Sequence, residues 1–363
     1  MSSKIKLVVS DLHIGSGVLH EDGSTNIFED FKADTAWKEF LEYYTTGEFA
    51  SSEVELILNG DIVNSLQVGY EGFFSPIITE KMAVEKVQKI IEGHPLFFDS
   101  LKEFSQKKKH QITYIIGNHD IDVFWDGVKD LLEERIDNQI NFVHFEYQKD
   151  GVHYEHGQQF EEVNKTDPKK LFITKGLREP ILNLPWGSHF VLNFIVPMKK
   201  QRPAIDKVRP LSNFVKWSFF NDFLWTLKTI IKALLYFFAT RFSKSIYRTN
   251  QVGTTFKIMK DLLFRPKLSR GAKKILQDNE HIHAVVMGHT HNALYMRFND
   301  GKVYLNTGTW TEATSLRLET LGKHTLYTYA FIDYRNAQDP HKPTVTLKEW
   351  KGNWHQHENY SGY

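Results

Sequence analysis

Four short apolar runs in this chain end in the same way, and that recurrence constrains the fold more than any other feature. Residues 5–9 lead into Ser10-Asp11-Leu12-His13, and residues 54–58 into Asn59-Gly60-Asp61. Residues 112–116 lead into Gly117-Asn118-His119-Asp120, and residues 284–287 into Gly288-His289-Thr290-His291. A fifth run, 152–155, ends in His156-Gly157. Aliphatic and β-branched runs of this length read as buried strands. Each then delivers a metal-binding or acid–base side chain at its C-terminal end. Between them, residues 27–49 (Phe31, Trp37, Phe40, Leu41, Tyr44), about 79–91 and about 97–107 carry the apolar spacing of helices. After the last motif, residues 293–298 and 302–305 flank Asn299-Asp300-Gly301 as a hairpin. Residues 327–334 and 344–350 complete the strands.

The chain has no cysteine, which excludes disulfides, zinc–thiolate sites and a thiol nucleophile; any metal must sit on nitrogen and oxygen ligands. At 363 residues and 41% hydrophobic composition it can bury a substantial core. The segment before the first strand has no long apolar stretch, so a cytoplasmic location is the expectation.

The formal net charge of +1 conceals an asymmetry. Residues 165–274 hold 23 Lys/Arg against 5 Asp/Glu, and the rest of the chain 22 against 39. A basic segment on an acidic body points to an anionic partner or to docking on that body. Within it, residues 213–241 read as one helix. Trp217, Phe220, Leu224, Leu227, Ile231, Leu234 and Phe238 form one face, opposite Ser218, Asp222, Thr226, Thr229 and Ala233. Lys216, Asp222, Lys228 and Lys232 interrupt it, so it does not read as a membrane span. It fits a helix lying in a membrane interface, peripheral at the inner face, or a lid over an apolar-tailed substrate. The competing expectation is a helical hairpin that buries its own aromatics.

The strand ends together offer Asp11, His13, Asp61, Asn118, His156, His289 and His291, more ligands than one ion needs. Two divalent ions sharing a carboxylate account for the number. One site takes Asp11, His13, Asp61 and His291; the other takes Asp61, Asn118, His156 and His289. Such ligands suit manganese, the first expectation, with iron or zinc as alternatives. Paired ions clamp a phosphoryl group and generate hydroxide from a water between them. His119 is left for acid–base work, with Asp120 expected to orient it.

In this order the D-x-H, G-D, G-N-H-D, H-G and G-H-T-H motifs resemble the calcineurin-like metallophosphoesterase family, across residues 5–310. The resemblance implies an α+β fold, an α/β/β/α four-layer sandwich with a dinuclear centre at the strand ends. It also implies that His119 protonates the leaving oxygen or stabilises the transition state, held by Asp120. Many members carry Asp three residues after the G-D motif, where this chain has Asn64. Within the family, the chain is most similar to UDP-2,3-diacylglucosamine diphosphatases, the pyrophosphatases of lipid A synthesis. They share a basic helical lid between the H-G and G-H-T-H motifs and a small-residue segment like residues 306–310. They often have Arg where this chain has His119, and their insertion is usually shorter.

The expected organisation is therefore a core of residues 1–160 and 279–350, an insertion of 161–278 acting as a lid, and a tail of 351–363. The expected substrate is a phosphate-containing small molecule or lipid, with an anionic membrane contacted through residues 165–275 and no nucleic acid. The alternative is a soluble phosphodiesterase or phosphoprotein phosphatase whose insertion mediates protein contacts.

Overall fold

The computed structural model describes residues 4–353 except 21, 204, 206, 210, 243–256, 259–266, 316–321, 336, 338 and 340. Ten residues of the expected tail, 354–363, lie outside the described residues. Two sheets form the centre. The first contains β1 (Lys4–Val9), β2 (Glu53–Asn59), β3 (His110–Ile115) and β4 (Asn141–Val143), all parallel. The second contains β5 (Glu146–Lys149), β6 (Val152–Glu155), β7 (Ala284–Met287), β8 (Leu294–Arg297) and β9 (Val303–Asn306). Strands β10 (Thr328–Asp333) and β11 (Thr344–Glu349) return to the first sheet, whose order is β11-β10-β1-β2-β3-β4. The second sheet runs β8-β9-β7-β6-β5, with the expected hairpin pairing β8 and β9.

Alternation along the strands explains the layering. In the first sheet Leu7, Val9, Leu56, Leu58, Ile112 and Tyr114 face α1 (Asp34–Thr45), α2 (Glu80–Gly93), α3 (Pro95–Ser105) and α4 (Asp126–Ile136). Val8, Ile57 and Ile115 face the other way, against Tyr154, Ala284, Val286 and Leu305 of the second sheet. The second sheet's outer face, Val285, Met287 and Tyr304, is covered by the helix Leu268–Asp278 through Leu268, Ala272 and Leu276. The result is helix, sheet, sheet, helix: the four-layer α+β arrangement expected. Helix α1 is shorter than the 27–49 expectation. Residues 27–33 form an irregular loop in which the buried Glu29 carboxylate accepts the backbone N–H groups of Gly15, Gly17 and Phe31.

The same Glu29 meets His94, which stands between α2 and α3. His94 Nε2 is 3.1 Å from Glu29 Oε2, and Nδ1 is 3.0 Å from Asp34 Oδ1 at the start of α1. Burial opposes the imidazolium, but the hydrogen bonds to Asp34 and Glu29 outweigh it and push the group up to about 9. Because the folded value lies above the unfolded one, the clamp stabilises fully below about pH 6.5 and is lost as pH rises through 9. The two values imply on the order of 3 kcal/mol. Urea unfolding of the wild type and His94→Gln at pH 6 and pH 10 tests this: the gap between them should be large at pH 6 and shrink by most of that amount at pH 10.

The described residues of 161–278 make contacts with the core. Leu182, Leu184 and Leu192 join the helix-side core. Val208–Arg209 pairs in parallel with Ala313–Ser315, and Lys199 and Lys207 lie 3.5 and 2.8 Å from Asp30 Oδ1. The expected single helix 213–241 is two, Leu211–Asn221 and Phe223–Phe242, with a bend at Asp222. The bend falls where Asp222 reaches back to the Arg202 guanidinium, which also stacks 3.8 Å over the Trp225 ring.

The side these helices show to solvent reverses ordinary amphipathic packing. Ser218 and Thr226, from the polar face, are buried. Trp217, Leu227, Ile231, Leu234 and Phe238 are exposed, with Phe220 84% and Leu224 79% exposed. Phe237 turns inward against Trp186, its ring centroid 5.7 Å away. The expectation of a hairpin that buries its own aromatics therefore fails for the exposed residues, while Phe237 joins Ser218 and Thr226 on the inward face. Among the described residues, no helix is long and apolar enough to cross a membrane.

Candidate metal centre

The motif loops converge at the C-terminal ends of β1, β2, β3, β6 and β7. The loops after β1 and β2 run side by side: Asp11, His13 and Ile14 donate their N–H groups to Gly60, Asp61 and Ile62 carbonyls at 3.1, 3.0 and 2.9 Å. The sequence suggested that Asp11 and His13 would share a face by strand alternation. Instead the strand stops at Val9, and both residues have left-handed backbones, φ +54° and +49°. Asp61, His289 and His291 do too, so five of the nine non-glycine residues with positive φ among the described residues are candidate ligands. Such conformations cost roughly 1–3 kcal/mol each outside glycine and persist where surrounding contacts over-determine them.

Two motif glycines are required by close approach. A methyl group on Gly117 would strike Asp61 Oδ1 and its backbone nitrogen. At Gly60, with φ +81°, a Cβ would meet the His156 ring at 2.5 Å.

Among the described residues two groups of ligating atoms converge: Asp11, His13, Asp61 and His291, and then Asp61, His156 and His289. Asp61 belongs to both. In the first group, His13 Nε2 and His291 Nε2 face each other at 2.9 Å, and His291 Nε2 is 3.3 Å from Asp11 Oδ1. In the second, His156 Nε2 is 3.2 Å from Asp61 Oδ2. His156 Nδ1 is 2.9 Å from the Asn59 carbonyl, which fixes the tautomer with Nε2 toward the group. Asn118 Oδ1 is buried without a hydrogen-bond partner, and His156 Nε2 is buried against the Asp61 carboxylate. Buried polar atoms are ordinarily paired, so these atoms and the facing His13–His291 pair fit divalent cations. His153, expected to be an ordinary strand residue, lies outside both groups, beside Gln148 and Glu155.

The electrostatics of the cluster are those of charge packed away from water. Burial drives Asp11 up to about 6 and His13 down to about 3. For His156 burial is outweighed by Asp61 and Asp11, which push it up to about 10. Asp61 is held well below the carboxylate range, the imidazoles of His156, His119 and His13 outweighing its burial.

Residues around the candidate ligands lock them in place. Asp11 accepts its N–H bonds from His289 at 3.1 and 2.9 Å, and the Ser10 hydroxyl bonds its carboxylate. Thr307 Oγ1 lies 2.6 Å from Ser10 Oγ, and Thr309 Oγ1 donates to the Asp11 carbonyl at 2.6 Å. The small-residue segment after the last motif is thus a brace for the first.

One expected contact is different. Asp120 does not orient His119: its carboxylate accepts from Gly117 N, Ile62 N and Tyr114 Oη. It is consumed in shaping the loop, and burial raises it to about 7. His119 instead has Asn64 Oδ1 2.9 Å from Nδ1, and its backbone N–H donates to Asp61 Oδ1 at 2.8 Å. The sequence had marked position 64 only as a departure. Glu161 was missed altogether: its Oε2 lies 2.8 Å from His289 Nε2.

No family model and no curated protein matches the chain. Solved structures similar to it include a conserved protein of Streptococcus pneumoniae described as a predicted phosphoesterase. It is 10% identical, with 98% of this chain and 95% of that one covered, at a TM-score of 0.32. A dimetal phosphatase from Danio rerio is 6% identical, covering 95% and 99%, at a TM-score of 0.36. A calcineurin-like phosphoesterase from Bacillus subtilis is 14% identical, covering 98% and 92%, at a TM-score of 0.35. At these identities and TM-scores none of them transfers an activity to this chain.

Proposed function

We propose that this protein is a hydrolase of phosphate esters or anhydrides that uses two divalent metal ions. The observation that carries the reading is the pair of ligand groups joined through Asp61. Asp11, His13, Asp61 and His291 would hold one ion, and Asp61, Asn118, His156 and His289 the other. When bound, the ions would polarise a phosphoryl group and lower the pKa of a water between them. The chain's own contribution is geometry and a proton. His119 borders His13, ring centroids 4.7 Å apart, so its imidazole stands at the edge of the first group. With Nδ1 held at Asn64, Nε2 is left to protonate the leaving oxygen. Burial keeps His119 below the usual histidine range, so an anionic substrate at its side is what would restore the proton.

The substrate class we propose is lipid-linked, presented at an anionic membrane surface. The outward apolar face of residues 217–238 supports it, together with the exposed Lys216, Lys228 and Lys232. A UDP-linked acylated sugar is one substrate of this kind.

The hydrolase reading is tested by stripping the protein of metal, titrating manganese and assaying a panel of phosphate esters and diphosphates. Two ions per chain with metal-dependent turnover is the expected result; turnover unaffected by stripping would end the proposal. His119→Ala should keep both ions and lose about 10²–10⁴-fold in kcat. Turnover of cyclic nucleotides or phosphopeptides, with none on acylated sugar nucleotides, would remove the lipid-linked substrate and favour a soluble phosphodiesterase or phosphatase.

A further inference from the structure

Glu161 lies just beyond the His156-Gly157 turn, at the foot of the basic insertion. Its Oε2 is 2.8 Å from His289 Nε2 and accepts the Asn164 amide at 2.9 Å. An imidazole Nε2 beside a carboxylate carries the proton, which leaves the Nδ1 lone pair as the ligating position. That Nδ1 is buried and has no hydrogen-bond partner. The ring also sits edge-on to His156, centroids 5.2 Å apart, on the side of the second ligand group.

The support under Glu161 comes from the insertion. Asn164 is held against Gly187, where a Cβ would strike Asn164 Oδ1, and Gly187 N–H donates to the Val163 carbonyl at 2.7 Å. Val163 in turn packs against Trp186, Phe237 and Ile258, the small core that seats the outward-facing helix.

We infer that Glu161 is a positioning residue for the second metal site. It fixes the His289 tautomer and aims Nδ1, and the seat of the insertion helices holds it there. The inference rests on the two-ion reading above. Carboxylates in this position typically raise ligand basicity, and their loss costs about 10–100-fold in metal affinity.

The test is calorimetric titration of the full-length, metal-stripped protein with manganese, in the wild type and in Glu161→Ala, Glu161→Gln and His289→Ala. Wild type should show two binding events. Glu161→Ala should weaken one of them about 10–100-fold, the same event that His289→Ala removes, and leave the other unchanged. Glu161→Gln keeps an oxygen acceptor for Nε2–H and should restore most of the affinity. Two events of wild-type affinity in Glu161→Ala would overturn the inference and leave the hydrolase reading standing. Equal weakening of both events with a lowered unfolding temperature would also overturn it, as a folding defect. Fewer than two events in the wild type would overturn both.

Discussion

Asp61→Asn is expected to lower hydrolysis about a thousandfold or more, on the order of 4 kcal/mol of transition-state stabilisation, and to reduce bound metal below two ions per chain. Asp61 is the carboxylate common to both ligand groups, so no other residue can take its place. Its oxygens are already committed: Oδ1 accepts His119 N–H at 2.8 Å, and Oδ2 lies 3.2 Å from His156 Nε2 and 3.8 Å from His13 Nε2. Asparagine keeps the shape and one acceptor but removes the charge, which isolates the bridging role from the packing role. Alanine does more damage, because it also removes the acceptor of the His119 backbone N–H. Metal content by atomic emission and kcat on the same preparation decide the matter. Two ions and a wild-type rate in Asp61→Asn would leave no bridging carboxylate.

The second large effect is on binding rather than chemistry. Phe220→Asp with Leu224→Asp should weaken association with anionic vesicles about a hundredfold or more. Each apolar side chain transferred from water contributes roughly 1.5–3 kcal/mol, and these two are 84% and 79% exposed in the isolated chain. Folding stability should change by less than about 0.5 kcal/mol, since surface substitutions disturb no core contact. Lys228→Gln with Lys232→Gln should act more weakly, about 1 kcal/mol per lysine removed, and only on anionic vesicles at low salt. Co-sedimentation with phosphatidylglycerol and phosphatidylcholine vesicles separates these outcomes. A wild type that stays in the supernatant with both would remove the membrane from the proposal.

The legible part of this protein was what strand periodicity and local chemistry encode. Residues 284–287 read as a strand because Ala284 and Val286 serve one core and Val285 and Met287 another, so every position is apolar. The motif residues were legible because each follows such a run directly. Three things were not. Asp11 and His13 come together through left-handed turns, which strand alternation does not describe. Which face of residues 217–238 points outward was hidden, because helical spacing defines a stripe and not its partner. Here Asp222 and Arg202, twenty residues apart, decide how the helix is held. Asn64 and Glu161 act on histidines 55 and 128 residues away, and no spacing rule reaches so far. The signal for Glu161 in the sequence was slight: two adjacent acids at the threshold of a strongly basic stretch.

The arrangement of ligands along the chain also has a consequence for synthesis. Asp11 depends on His289 and Thr309, which follow it by 278 and 298 residues. A chain that stops short of residue 284 carries Asp11, His13, Asp61, Asn118 and His156 but neither His289 nor His291. On the two-ion reading, neither site is complete until β7 and the loop after it have been made. Any fragment cut off within the insertion would lack these two imidazoles, one from each group, together with β7 to β11. The order of the candidate ligands thus makes both groups depend on residues that follow the insertion.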